Sequence, residues 1–129
     1  MIKLLPVEEA GKLEELCRHY GVAYTSQIHA YISADESVNA QCVFSLDGYR
    51  VELLAASFDD DDPLIPELLI RAVGAYAANR SGYLFYIPDS VGQAMEETIK
   101  TMRFEKNETG YCGKVPNVLK GTCRCNDTN

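Results

Sequence analysis

Hydrophobic and polar positions follow two different periods along this chain, and each switch between them marks an element. Residues 2–5 form a short apolar run. Pro6 then opens a helical pattern with Leu13, Leu16, Cys17 and Tyr20 on one face, ended by Gly21. Ile28, Ala30 and Ile32 recur at every second position within 28–34, the spacing of a strand with one buried face. Asp47-Gly48 lies between two runs of strand-forming residues, about 41–46 and 49–56. It predicts an antiparallel hairpin, because both residues tolerate positive φ. Within the second run the alternation fails at Leu-Leu-Ala-Ala, residues 53–56, which predicts burial on both faces.

Leu64, Ile65, Leu68, Leu69, Ala72, Val73, Tyr76 and Ala77 then recur in pairs four apart, giving a helix with a broad apolar stripe. Asp62 is its natural N-cap, Pro63 fits its first turn, and Gly82 is predicted to stop it. Residues 83–87, Tyr-Leu-Phe-Tyr-Ile, read as a short central buried strand. Ser90 with Gln93 forms a capping box for a helix whose inner face carries Val91, Ala94, Met95, Ile99 and Met102. A last irregular strand and a polar tail follow over 109–129. The order β-α-β-β-β-α-β-α-β predicts an α/β fold: a mixed, mostly antiparallel sheet flanked by helices. With 129 residues and no low-complexity linker, the expectation is one domain with its core over about 2–111.

Composition narrows the setting. An apolar content of 47% with 24% charged residues suits a folded chain, while a net charge of −7 with scattered basic residues argues against a nucleic-acid or anionic-membrane surface. Acidic residues and a glycine within the first eleven positions interrupt any signal-peptide or membrane-spanning run, so a cytoplasmic location is expected. In that setting the Asn-x-Ser/Thr matches at Asn79, Asn107 and Asn126 stay unmodified. Five cysteines, an odd number, are expected as thiols, with Cys17 and Cys42 as buried fillers. Cys112, Cys123 and Cys125 lack the C-x-x-C spacing of a zinc site, so no metal is expected and no role follows for them. His19 and His29 read as surface residues or a hydrogen-bonded pair.

Four ordered stretches carry a resemblance: AYISADESVNAQCVFSLDGYRVELLAAS, DDDDPLIPELLIRAVGAYAANRSG, YLFYIPDS and VGQAMEETIKTMRFEKN. Together they resemble the meander, cofactor-binding loop and helix, next strand and closing helix of the GNAT superfamily of acyl-CoA-dependent N-acyltransferases, over residues 2–111. The resemblance implies acyl transfer from coenzyme A to an amine, with Glu52 as general base. It implies that the backbone of Leu54, Ala55, Ala56 and Ser57 holds the pantetheine arm and that the helix start at Leu64 and Ile65 meets the diphosphate. The family's tyrosine acid falls near Ile99, which has no proton to give, leaving Tyr83, Tyr86 and Tyr111 as hydroxyl sources. The glycine before the family's phenylalanine, here Phe104, is Arg103.

The family's glycine-rich diphosphate loop falls near Asp61, Asp62, Leu64 and Pro66, where no residue is glycine or basic. Pro63 and Pro66 each remove an amide donor, and the four aspartates from 59 to 62 repel an anion. More simply, the aspartates are a solvated cap on a helix dipole. Two readings stay open. One is a divergent acyl-CoA N-acyltransferase relative in which binding of acetyl-CoA or another acyl-CoA is weak or lost. The other is a non-catalytic module on the same scaffold that takes a small molecule or peptide in the cleft between the fourth and fifth strands. A homodimer through the exposed meander or the C-terminal strand is compatible with either.

Overall fold

The computed structural model describes residues 2–59 and 62–120, so Asp60, Asp61, Cys123, Cys125 and the Asn126 match lie outside the described residues. In chain order the elements are β1 Leu4–Pro6, α1 Ala10–Tyr20, β2 Ile28–Ser33, β3 Ala40–Asp47, β4 Arg50–Phe58, α2 Leu64–Ala78 and β5 Leu84–Pro88. They continue with α3 Asp89–Gly92, a 3₁₀ turn Gln93–Met95, α4 Glu96–Thr101, β6 Glu105–Lys106, β7 Gly110–Lys114 and α5 Val115–Val118. The strands form one sheet in the order β1-β2-β3-β4-β5-β7-β6. Neighbours are antiparallel except β4 and β5. This is the mixed, mostly antiparallel sheet with helices that the patterning predicts.

The larger apolar cluster joins α2 to the sheet through Phe44, Val51, Leu53, Leu69 and Phe85. The smaller one joins α1 through Leu13, Cys17, Ile28, Ala30, Val43 and Ala55. Adjacent residues of β3, Val43 and Phe44, belong to different clusters, so the two lie on opposite faces of the sheet. No helix among the described residues is long and apolar enough to cross a membrane.

The irregularity at Leu-Leu-Ala-Ala has a specific cause. Phe44 stands opposite Leu53 and Val43 opposite Ala55, so Leu54 is an extra residue, a β-bulge. Val51 and Leu53 face α2, Leu54 and Ala55 face α1, and Ala56 and Phe58 face α2 again. Both faces of β4 do pack against core, and the bulge is what breaks the alternation.

Several local expectations shift. Pro6 does not open α1; it ends β1, an edge strand where a missing N–H is tolerated, and the helix starts at Ala10. Gly21 ends α1 as predicted, in the left-handed region with φ 71°. The hairpin loop is Gly48-Tyr49, closed by the Asp47–Arg50 pair, with Gly48 alone of the two at positive φ. That is the pattern of a II′ turn and moves the turn one residue on from Asp47-Gly48. Gly82 does not stop α2, which ends at Ala78; Ser81 takes the left-handed conformation, φ 66°. Gly82 is needed for close approach, since its N–H donates to the Ala77 carbonyl at 2.6 Å and a Cβ there would collide with Ala77.

The expected continuous helix after Ser90 is broken into α3, the 3₁₀ turn and α4, and Ser90 makes no capping bond. Gly92 lies flat against the Tyr111 ring, and Met95 leaves helical geometry with φ −129° and ψ 28°. The break turns Met95, Ile99 and Met102 into the core and leaves Ala94 exposed.

Candidate functional site

β4 and β5 run side by side for only three residue pairs, Arg50–Leu84, Val51–Phe85 and Glu52–Tyr86. Beyond Glu52 the strands part. Residues 53–58 of β4 have no ladder partner on the β5 side among the described residues. Leu54, Ala55, Ala56 and Ser57 all lie on this released stretch.

Glu52 marks the fork. Its half-buried carboxylate pairs with Arg50 at 3.6 Å, and the Arg50 guanidinium lies 5.1 Å from the Tyr86 ring centre. The Tyr86 hydroxyl is engaged with Thr109. Tyr83 is exposed, while Tyr111 is buried and donates to Glu96 at 3.1 Å. Burial first, and then the Glu96 carboxylate, hold the Tyr111 phenol above its usual range, which makes it a poorer proton donor. Ile99 is fully buried.

Past the fork, the end of β4 and the start of α2 face the α3–α4 segment across a cavity of about 330 Å³. Its wall includes Phe58, Met95 and Pro66, and the carboxylates of Asp59, Asp62, Glu96 and Glu97. Among the described residues no lysine or arginine lines it. Asp59, the other described aspartate of the acidic run, accepts from the Asn39 amide at 3.3 Å.

A helix start ordinarily offers about four free amide N–H groups to an anion. At α2 each is accounted for. Pro63 and Pro66 have none. The Leu64 N–H donates to Asp62 Oδ1 at 3.0 Å, and the Ile65 N–H donates to the Asp62 carbonyl at 3.2 Å. Glu67 is already placed to join the helical ladder. The N-cap of α2 is Pro63, one residue beyond the predicted Asp62, and Asp62 still takes up the amides of Leu64 and Ile65. The Ile65 side chain is buried in the core, whereas Leu64 is exposed.

The remaining candidates separate from this site. Cys17 and Cys42 are buried thiols. Desolvation pushes Cys42 up to about 12, and burial with Glu14 nearby raises Cys17, so both are inert fillers. Cys112 is a half-buried thiol on β7. Among the described residues no group of three or more His, Cys, Asp or Glu is placed to hold a metal ion. His19 packs edge-on against Tyr20, and His29 hydrogen-bonds to Tyr76, so the histidines do not pair with each other. Arg103 has φ 69°, a left-handed backbone that favours glycine. The sequence could not reveal Glu96 and Glu97 as cavity residues. They lie some thirty positions beyond the acidic run and reach it only because the helix breaks at Met95.

No protein-family model matches this chain, and no curated protein matches it. Solved structures do. The coenzyme A-bound Escherichia coli protein YhhK is similar with a TM-score of 0.65 at 10% identity, over 88% of this chain and 98% of that one. A GNAT-family acetyltransferase from Staphylococcus aureus gives 0.61 at 11%, over 89% and 99%. The E. coli GNAT-family N-acetyltransferase YhbS, in complex with CoA, gives 0.54 at 10%, over 94% and 86%. The chain thus has the fold of the GNAT acyl-CoA N-acyltransferases, with β4 and β5 parted beyond Glu52 and an acidic cavity between the end of β4, the start of α2 and α4.

Proposed function

We propose that this protein is a divergent relative of the acyl-CoA N-acyltransferases that keeps their cleft but has lost the hold on the coenzyme A diphosphate. The observation that carries the reading is the filled start of α2, where Asp62 and two prolines occupy or remove the described amides of the first turn. The acidic wall reinforces it. Two unit charges about 6 Å apart at an effective dielectric of about 20 repel by about 3 kcal/mol, and a diphosphate would meet several carboxylates. The residues present do not fit that group, so no CoA-dependent step is assigned to them. The cleft instead serves as a binding site whose acidity suits a cationic or neutral small molecule.

Calorimetric titration of the protein with coenzyme A and, separately, with pantetheine tests this. Pantetheine carries the same thiol arm without the diphosphate. Coenzyme A is expected to bind no more tightly than pantetheine. Saturable micromolar binding of coenzyme A, well above that of pantetheine, would refute the proposal.

A second reading has its own observation. The stretch 53–58 of β4 offers backbone groups that no strand takes up on the β5 side, the requirement for adding an extended peptide to a sheet. A peptide that stabilises the protein and protects the amides of 53–58 from hydrogen exchange would favour it over the small-molecule reading.

A further inference from the structure

A cavity of about 610 Å³ lies toward the far end of α2 from the acidic one, within the usual range of about 300–1,000 Å³ for small-molecule sites. The nearest α2 residues lining the two, Pro66 and Ala75, are about 14 Å apart along the helix. The cavity exists because β1 is short. It pairs with β2 at Tyr31, Ile32 and Ser33, makes one more bond from the Val7 N–H to the Ala30 carbonyl, and leaves the start of β2 uncovered.

Phe44 gives the cavity an apolar floor on the α2 face of the sheet, and Leu13 and Ile28 line it from the α1 face. One wall is aromatic: the Tyr76 hydroxyl meets His29 Nδ1 at 3.0 Å, with their ring centres 4.7 Å apart, and Tyr31 stacks on Phe44. Tyr24 stands at the rim, 43% exposed, an aromatic ring left in water. The Arg80 guanidinium lies flat over Tyr76, 3.6 Å from the ring centre, and donates once, to the Tyr76 carbonyl at 3.1 Å. It has no carboxylate partner among the described residues. Burial, and then Arg80, hold the His29 imidazole below its usual range, so it presents an uncharged ring at neutral pH.

We propose that this cavity is a ligand site for a small planar aromatic molecule bearing one negative charge. The ring would lie against the His29–Tyr76 wall with Tyr24 over it, and the anionic group would pair with the unused guanidinium N–H groups of Arg80. Glu8, which also lines the cavity, disfavours a second negative charge. The site is separate from the cleft and does not rest on the reading given to it.

The test is an amide-resolved NMR titration of the full chain with 1-naphthoate, repeated with uncharged 1-naphthamide and with the Arg80→Gln variant. Arg80 is exposed, so the substitution leaves the core untouched. Saturable shifts are expected at His29, Tyr31, Tyr76 and Arg80. Affinity should fall by about tenfold or more for the amide and for the variant, the loss of one charge-assisted contact. The naphthamide arm uses unaltered protein, so it decides the matter even if the variant misfolds. No saturable shift up to the solubility limit, equal affinity for acid and amide, or shifts confined to the acidic cleft would each overturn the proposal.

Discussion

Arg103 offers the sharpest check on the backbone. At φ 69° it occupies a region that costs a residue with a Cβ about 1–2 kcal/mol. Replacing arginine also removes a cation close to the end of α4, worth about 0.3–1 kcal/mol there, so comparison with the native chain mixes two effects. Comparing Arg103→Gly with Arg103→Ala removes the charge from both. Glycine relieves the strain but gives back about 0.4–1 kcal/mol through the freer unfolded chain. The difference is about 0.8 kcal/mol in favour of glycine. For a chain of this size that is about 3 °C in Tm, readable by calorimetry and by urea midpoints. The sign matters more than the size: in an ordinary helical position glycine loses to alanine by about 1 kcal/mol. An alanine variant as stable as the glycine variant, or more so, would show that residue 103 is not left-handed in solution.

Two further outcomes follow from packing and protonation. Gly92→Ala would drive a methyl into the Tyr111 ring and should cost about 1–3 kcal/mol in chemical denaturation; a neutral result would mean that the α3–β7 contact is looser than described. Because His29 titrates below its usual 6.5, its neutral form is the one that folding favours. Its contribution is intact above pH 6.5 and is lost as pH falls through the lowered folded value, so Tm should decline as pH drops below about 6.5. His29→Gln should flatten that decline, and an unchanged slope would remove His29 as its source.

Much of the architecture was legible because each long element carries one clean period. The α2 stripe, the alternation in β2 and the Asp-Gly signal locate a helix, a strand and a hairpin with little interference from tertiary packing. Legibility failed where a residue answers to a neighbour distant in sequence. Gly82 looks like a helix stop but exists for contact with Ala77, and Gly92 breaks a convincing helical pattern because it meets Tyr111. The Leu-Leu-Ala-Ala anomaly signalled two-sided burial, yet a bulge depends on register against β3, which one strand does not encode. At the site, an aspartate serving the start of α2 was readable to within one residue because its bond to the Leu64 amide is local. The aromatic cavity drew no signal, since His29, Tyr76 and Arg80 come together only when β2 meets the end of α2.

The extra residue in β4 has a mechanical consequence. A strand that turns Leu53 to one core and Ala55 to the other ties both faces of the sheet to the same few peptide units. Deleting Leu54 would keep Ala55, Ala56 and Phe58 opposite Val43, Cys42 and Ala40 and on their present faces, and would remove only the bend that the extra residue puts into β4. The extra residue thus bends the strand just beyond Glu52 without disturbing the packing on either face, so its loss would straighten β4 where it parts from β5 and leave both cores in place.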